Sequence, residues 1–266
     1  MDSDQRRLVA AMPLHAITST YGEEGLRERF SVEIASLPEE DQRRLNQALD
    51  LAARLHAADR REREPYINHL LRVAIRIMSH YGVHDPDVIS AALLHDAVED
   101  HAGELASGAA GADLADGSAV ASADSGADAS ADSGAEGVQQ AALAALAAQF
   151  GPRVAELVAA VSNPQYAPDR DAHEQYREHV EESLRRDPWA RVIKASDFAD
   201  NGAGLIHSTG PRLRRLAGKY APLVPILREL IDLPDTPLDA SAKQHILSQL
   251  DRAADRFAAV LPPNET

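Results

Sequence analysis

No cysteine occurs among the 266 residues. Disulfides, thiolate metal ligands and a thiol nucleophile are therefore excluded, and any metal must be held by His, Asp or Glu. Aromatic residues are scarce at 4%, with a single tryptophan, so the core has to be built from Leu, Val, Ile and Ala, a composition that leans towards helices. Alternating β-branched runs bounded by Asn-Gly or Asp-Gly turns are almost absent as well. The expected fold class is all-α. Basic residues are outnumbered 27 to 42, for a formal net charge of −15. Such a surface repels nucleic acid and anionic membranes, so neither is expected as a partner, and an anionic substrate needs a local basic pocket. No apolar run approaches the roughly 18 residues needed to span a bilayer. The opening MDSDQRRLVAAMPLHAITS lacks a secretory pattern. The expected location is cytoplasmic.

Residues 1–40 are weakly patterned and read as an N-terminal extension. Glu39-Glu40-Asp41 then opens a helix ending near Ala58, acidic residues in a first turn suiting the helix dipole. Pro65 opens the next, YINHLLRVAIRIMSHYG, closed by Gly82. Asp85-Pro86-Asp87 caps a third, DVISAALLHDAVED. From Ala102 to Gly137 the composition shifts to Ala, Ser, Gly and Asp, with seven acidic residues and no basic one. This stretch cannot bury enough apolar surface to order itself and is expected to be a disordered acidic insert. Helical patterning resumes at Val138, breaks at Gly151-Pro152, and continues after a two-proline loop at 163–168 over about 172–186, 188–206, 211–231 and 238–260. The expected organisation is a helical domain over 41–207 with C-terminal helices over 208–266 packed on it.

Four residues stand out for chemistry: His69 in PYINHLLRVA, the adjacent His95 and Asp96 in LLHDAVED, and Asp197 in VIKASDFADN. Neighbours on a helix point about a hundred degrees apart, so His95 and Asp96 can share an ion only if it lies beside their helix. The remaining ligands must then come from other helices. Two imidazoles and two carboxylates suit a borderline divalent ion such as Mn²⁺, Fe²⁺ or Zn²⁺. Glu99 and Asp100 follow one turn later, placed to orient an attacking water or take its proton. The plainer account of that pair is a solvated acidic helix end. Arg60 and Arg61 precede PYINH and read as a phosphate clamp, against the plainer alternative of an exposed helix end paired with Glu62 and Glu64.

These segments resemble the HD-domain hydrolases, most closely the hydrolase domain of RelA/SpoT-type enzymes and the small alarmone hydrolases. The resemblance rests on Arg60-Arg61, PYINH at 65–69, AALLHDAVED at 91–100, FGPRVAELVAAV at 150–161 and VIKASDFADN at 192–201. It implies a helical enzyme that removes the 3′-pyrophosphate from (p)ppGpp, usually with Mn²⁺. On that resemblance His69, His95, Asp96 and Asp197 are metal ligands, Glu99 and Asp100 assist water attack, Asn201 lies near the nucleoside, and Arg60 and Arg61 contact the substrate. The chain departs from the family pattern at Leu70, where Pro is usual, at Gly202-Ala203, and at Val161-Ser162-Asn163-Pro164. No synthetase domain is expected in the remaining C-terminal residues.

The other histidines read more simply. His173 and His179 are six apart and miss a common helical face, whereas metalloprotease ligands are spaced by four. His80, His84, His101 and His207 are expected at the surface or at helix ends, and Trp189 and Tyr166 in packing roles. Two other functions compete with the (p)ppGpp reading: an HD nucleotidase acting on monophosphates, and a nucleotide-binding sensor without turnover.

Overall fold

In the computed structural model, residues 1–61, 64–108, 131–164, 166–204 and 210–261 are described. Their helices are α1 (Ser3–Ala11), α2 (Leu14–Ile34), α3 (Glu39–Leu55), α4 (Ile67–Ser79), α5 (Pro86–Leu93), α6 (Ala97–Ala106), α7 (Ala131–Phe150), α8 (Pro152–Val161), α9 (Ala172–Arg186), α10 (Pro188–Gly204), α11 (Gly210–Tyr220), α12 (Leu223–Asp232) and α13 (Ala240–Val260). Among the described residues the only extended pairing is an isolated bridge between Arg60 and Pro65, and no helix is long and apolar enough to cross a membrane. The fold is all-α.

Helix ends follow from local chemistry. The Asp85 carboxylate accepts from the Asp87 N–H with Pro86 in the first turn, and Asp171 and Asp239 cap α9 and α13 in the same manner. Gly82 and Gly151 take φ of 68° and 94° after α4 and α7, backbone geometry that side chains with a Cβ disfavour.

At the centre lies α4, buried nearly all round: Leu70, Leu71, Val73, Ala74, Ile75, Ile77 and Met78 are buried, as are Asn68, His69 and Arg76 on a polar stripe. It packs against α2, α5 and α10, while α8 closes over α5 and α10. From α10 the chain reaches α12 and α13 through Phe198 and Phe257, whose rings meet edge to face at 6.2 Å.

Four expectations change. Residues 1–40, weakly patterned in sequence, form helices: α1 and α2 bury Val9, Ile17, Leu26 and Phe30 in the common core, and the Arg29 guanidinium donates to the carbonyls of Val9 and Met12. The pattern was obscured because α2 is kinked at Gly22 (φ 59°), which resets the helical register. The segment 86–100 is two helices, broken at Leu94–Asp96. The stretch expected to be disordered, 102–137, is helical at both ends, where 102–106 complete α6 and 131–137 begin α7; residues 109–130 lie outside the described ones. Finally, 211–231 divides at Ala221-Pro222, because proline supplies no N–H to continue the α11 ladder.

Phe30 is buried on the helix joining the N-terminal region to α4. Phe30→Ala should cost about 3–5 kcal/mol; a urea midpoint unchanged from wild type would show the first two helices to be an appendage.

Candidate metal centre

His69 projects from the first turn of α4, Asp197 from the middle of α10, and His95 and Asp96 from the joint between α5 and α6. That joint removes the hundred-degree problem. Because 94–96 are not helical, the adjacent side chains converge: His95 Nε2 lies 3.2 Å from Asp96 Oδ2 and 3.7 Å from Asp197 Oδ1. His69 Nε2 is 3.3 Å from Asp197 Oδ1 and 3.6 Å from Asp96 Oδ2.

Each imidazole is oriented through its other nitrogen. His69 Nδ1 bonds Asp200 Oδ2 at 2.9 Å, and His95 Nδ1 bonds the Ala92 carbonyl at 2.9 Å. This leaves both Nε2 atoms buried, without hydrogen-bond partners among the described residues, and turned to the same point. A buried acceptor without a donor is costly. Two such atoms facing two carboxylates match the donor set of a borderline divalent ion, with the outer hydrogen bonds such ligands require. The residues fit a metal. Burial lowers the affinity of His95 for a proton, but Asp96 and Asp197 outweigh it and raise its pKa to about 9, a measure of how strongly this cluster draws positive charge.

Around the four lies a polar shell. Lys194 donates to Asp197 Oδ2 at 3.0 Å, and Asn201 Nδ2 to Oδ1 at 2.7 Å. Despite the opposing effect of burial, Lys194 and the two histidines hold Asp197 well below the usual carboxylate range. The Tyr66 hydroxyl donates to Asp96 Oδ2 at 2.7 Å. Asp200, almost wholly buried, accepts from Arg72 and Arg76 as well as His69, and Arg72 also pairs with Glu64 at 2.7 Å.

Glu99 and Asp100 stand at the mouth. Both Glu99 oxygens are fixed by Asn163, at 2.8 Å from its backbone N–H and 2.8 Å from its Nδ2. Desolvation and the charge of Asp96 raise Glu99; the same effects plus Glu99 itself raise Asp100 to about 6. Arg61 reaches the site, donating to Asn201 Oδ1 at 3.0 Å and lying over the Tyr66 ring at 5.1 Å. Arg60 is exposed, with its backbone bridged to Pro65; the fold brings one arginine of the pair to the centre.

Asp200, Arg72, Arg76, Lys194 and Tyr66 were not singled out from the sequence, although Asp200 and Lys194 sit three residues either side of Asp197 and Arg72 three after His69. That spacing shares a helical face and was the available signal. His80 and His84 are exposed, as expected, and His207 lies outside the described residues. His101 differs from expectation, being only 12% exposed and paired with Asp59. Tyr166 bonds Asn163 at 3.0 Å, at the edge of the site.

A family model described as HD domain matches residues 48–191, more than half of the chain, and the chain belongs to the HD domain family. Relatives described as guanosine-3′,5′-bis(diphosphate) 3′-pyrophosphohydrolase MESH1 match it locally. The protein of Xenopus tropicalis is 53% identical over 58 residues, covering 20% of this chain and 32% of the relative. That of Homo sapiens is 53% identical over 60 residues, covering 21% and 33%. The chain thus matches about a third of the length of these relatives. A solved structure described as a metazoan ortholog of SpoT that hydrolyzes ppGpp superposes with a TM-score of 0.52 at 22% identity, over 79% of this chain and 94% of that one; the likeness is one of fold.

Asp200→Asn would leave Arg72 and Arg76 facing a neutral amide in the interior. Loss of a buried ionic partner costs about 3–5 kcal/mol. Chemical denaturation should register a loss of that size; a change below about 1 kcal/mol, the level of an exposed pair, would mean that the network is not holding α10 to α4.

Proposed function

We propose that the chain is a divalent-metal-dependent phosphohydrolase that removes the 3′-pyrophosphate of (p)ppGpp. The observation that carries this reading is the convergence of the two unpartnered Nε2 atoms with Asp96 and Asp197. The local match to relatives described as 3′-pyrophosphohydrolases supports the substrate.

His69, His95, Asp96 and Asp197 would hold the ion, Mn²⁺ being favoured by the family resemblance. When bound, it lowers the pKa of a water and offsets charge on phosphate oxygens. The protein's part is positional. Asn163 fixes Glu99 in one orientation, suited to directing the attacking water. Asp100, raised to about 6 by burial and by the charges of Asp96 and Glu99, is suited to accept a proton near neutral pH. Arg61 is braced by Asn201 and Tyr66 with donors to spare, and serves as a phosphate contact. Lys219 lies over the Tyr176 ring at 4.4 Å; its pKa is lowered by burial and by Lys194, a crowding of cations that an anionic substrate relieves. The acidic surface elsewhere makes this basic rim the place where a nucleotide bearing several phosphates is received.

The deciding assay is pyrophosphate release from ppGpp after chelation and re-addition of Mn²⁺, with nucleoside monophosphates in parallel. Hydrolysis of the monophosphates alone would replace this substrate, and binding without release would make the protein a sensor. Glu99→Gln and Asp100→Asn should each lower turnover by about 10²–10⁴ while metal content stays at the wild-type level. Near-full turnover in both would remove the acidic pair from the mechanism. His95→Ala and Asp197→Ala should lose metal and activity together; full occupancy in either variant, measured by elemental analysis, would remove that residue from the ligand set.

A further inference from the structure

A second group of metal-ligating side chains lies outside the centre just described. His56 caps the C-terminus of α3, Asp59 follows in the turn, and His101 interrupts α6 with non-helical backbone (φ −134°, ψ 28°). Asp59 Oδ2 stands 2.7 Å from His56 Nδ1 and 2.7 Å from His101 Nε2. One ligand atom from each of the three lies within 4.8 Å of the others. We propose that His56, Asp59 and His101 bind a second borderline divalent cation, of the Zn²⁺ class, separate from the catalytic ion.

Two imidazole nitrogens and a carboxylate oxygen converging from different segments form a three-ligand set of the kind zinc takes, leaving one position for water. Ligand bonds of about 2.0–2.1 Å in a tetrahedron place donors about 3.3 Å apart. The present spacing therefore has to open by about half an ångström, within reach of small side-chain rotations. Asp59 is 34% exposed and His101 12%, whereas His56 is fully buried, so the cluster has a solvent side for entry and a fixed inner wall.

The outer contacts are those of a ligand set. His101 Nδ1 pairs with Glu104 Oε1 at 2.9 Å, the carboxylate–histidine arrangement that orients metal-bound imidazoles and raises their basicity. His56 Nδ1 donates to the Asp59 carboxylate, so a cation has to displace that proton, and His56 Nε2 has no hydrogen-bond partner among the described residues. The His56 ring stacks on Tyr66 with centroids 4.7 Å apart and planes 13° from parallel. Tyr66 in turn donates to Asp96. An ion here would tie α3 to α6 and brace the ring against which that tyrosine rests.

The experiment is zinc stoichiometry of the full chain at about pH 8, where protons compete least with the histidines, counted by native mass spectrometry after gel filtration from excess Zn²⁺. The wild-type chain should carry two zinc ions. His101→Ala, Asp59→Asn and Asp197→Ala should each carry one, and the His101→Ala/Asp197→Ala pair none. A thermal shift with Zn²⁺ in Asp197→Ala that disappears in the double variant would support the second site without reference to activity. A wild-type chain with one zinc that His101→Ala retains and Asp197→Ala loses would overturn this proposal and leave the catalytic centre intact. Two zinc ions retained in both His101→Ala and Asp59→Asn would overturn it equally.

Discussion

The buried carboxylate of Asp200 is the contact on which the centre depends. It takes three cationic or polar partners from one helix, His69, Arg72 and Arg76, at 2.8–3.0 Å. Those residues lie at i, i+3 and i+7, a single stripe of α4. Burial opposes the charge on Asp200, and its partners overcome that, holding it well below the usual carboxylate range. One side chain thereby sets the distance between α4 and α10, fixes the proton of His69 on Nδ1, and leaves Nε2 turned inward. Asp197, one helical turn earlier, is placed by the same docking.

His95 and Asp96 are placed by a different device. Continuous helix through 94–96 would have separated His95 and Asp96 around its circumference. The break turns them towards one point, and the Ala92 carbonyl holds the His95 ring through Nδ1. Binding chemistry thus comes from a rigid helix pair on one side and an irregular joint on the other, with apolar α5 and α8 behind them. Polar groups this deeply buried persist because almost every one has a partner; among those of the described residues that lack one, the Nε2 atoms of His69 and His95 face each other beside Asp96 and Asp197.

Much of this was legible in the sequence. The absence of cysteine and strand signals, with Leu- and Ala-rich periodicity, gave the fold class. The cap at Asp85 gave a helix start, since capping depends on a few adjacent residues. The four metal-seeking residues stood out because His and Asp are chemically distinctive within apolar runs. What was not legible is non-local. Asp200 looks like any acidic residue on a helix until α4 is packed against it. The two arginines at 60 and 61 are equivalent on paper, and only the bridge to Pro65 and the position of Asn201 distinguish them. The N-terminal helices escaped notice because the kink at Gly22 divides their apolar face. The His56–Asp59–His101 group was hidden for a related reason: its members lie on two helices and a turn, and His101 leaves helical geometry to join them.

His69 and Asp197 stand on opposite sides of the 109–130 stretch, and His95 lies between them in sequence. An unfolded chain therefore has no local segment that resembles the site, and the four residues are assembled by the native packing of α4 and α10 against the α5–α6 joint. Cation affinity is in consequence an equilibrium property of the folded state. Any free ion at 100 times its dissociation constant adds about 2.7 kcal/mol to the unfolding free energy. The metal supply of the surroundings would then govern how long the folded chain survives.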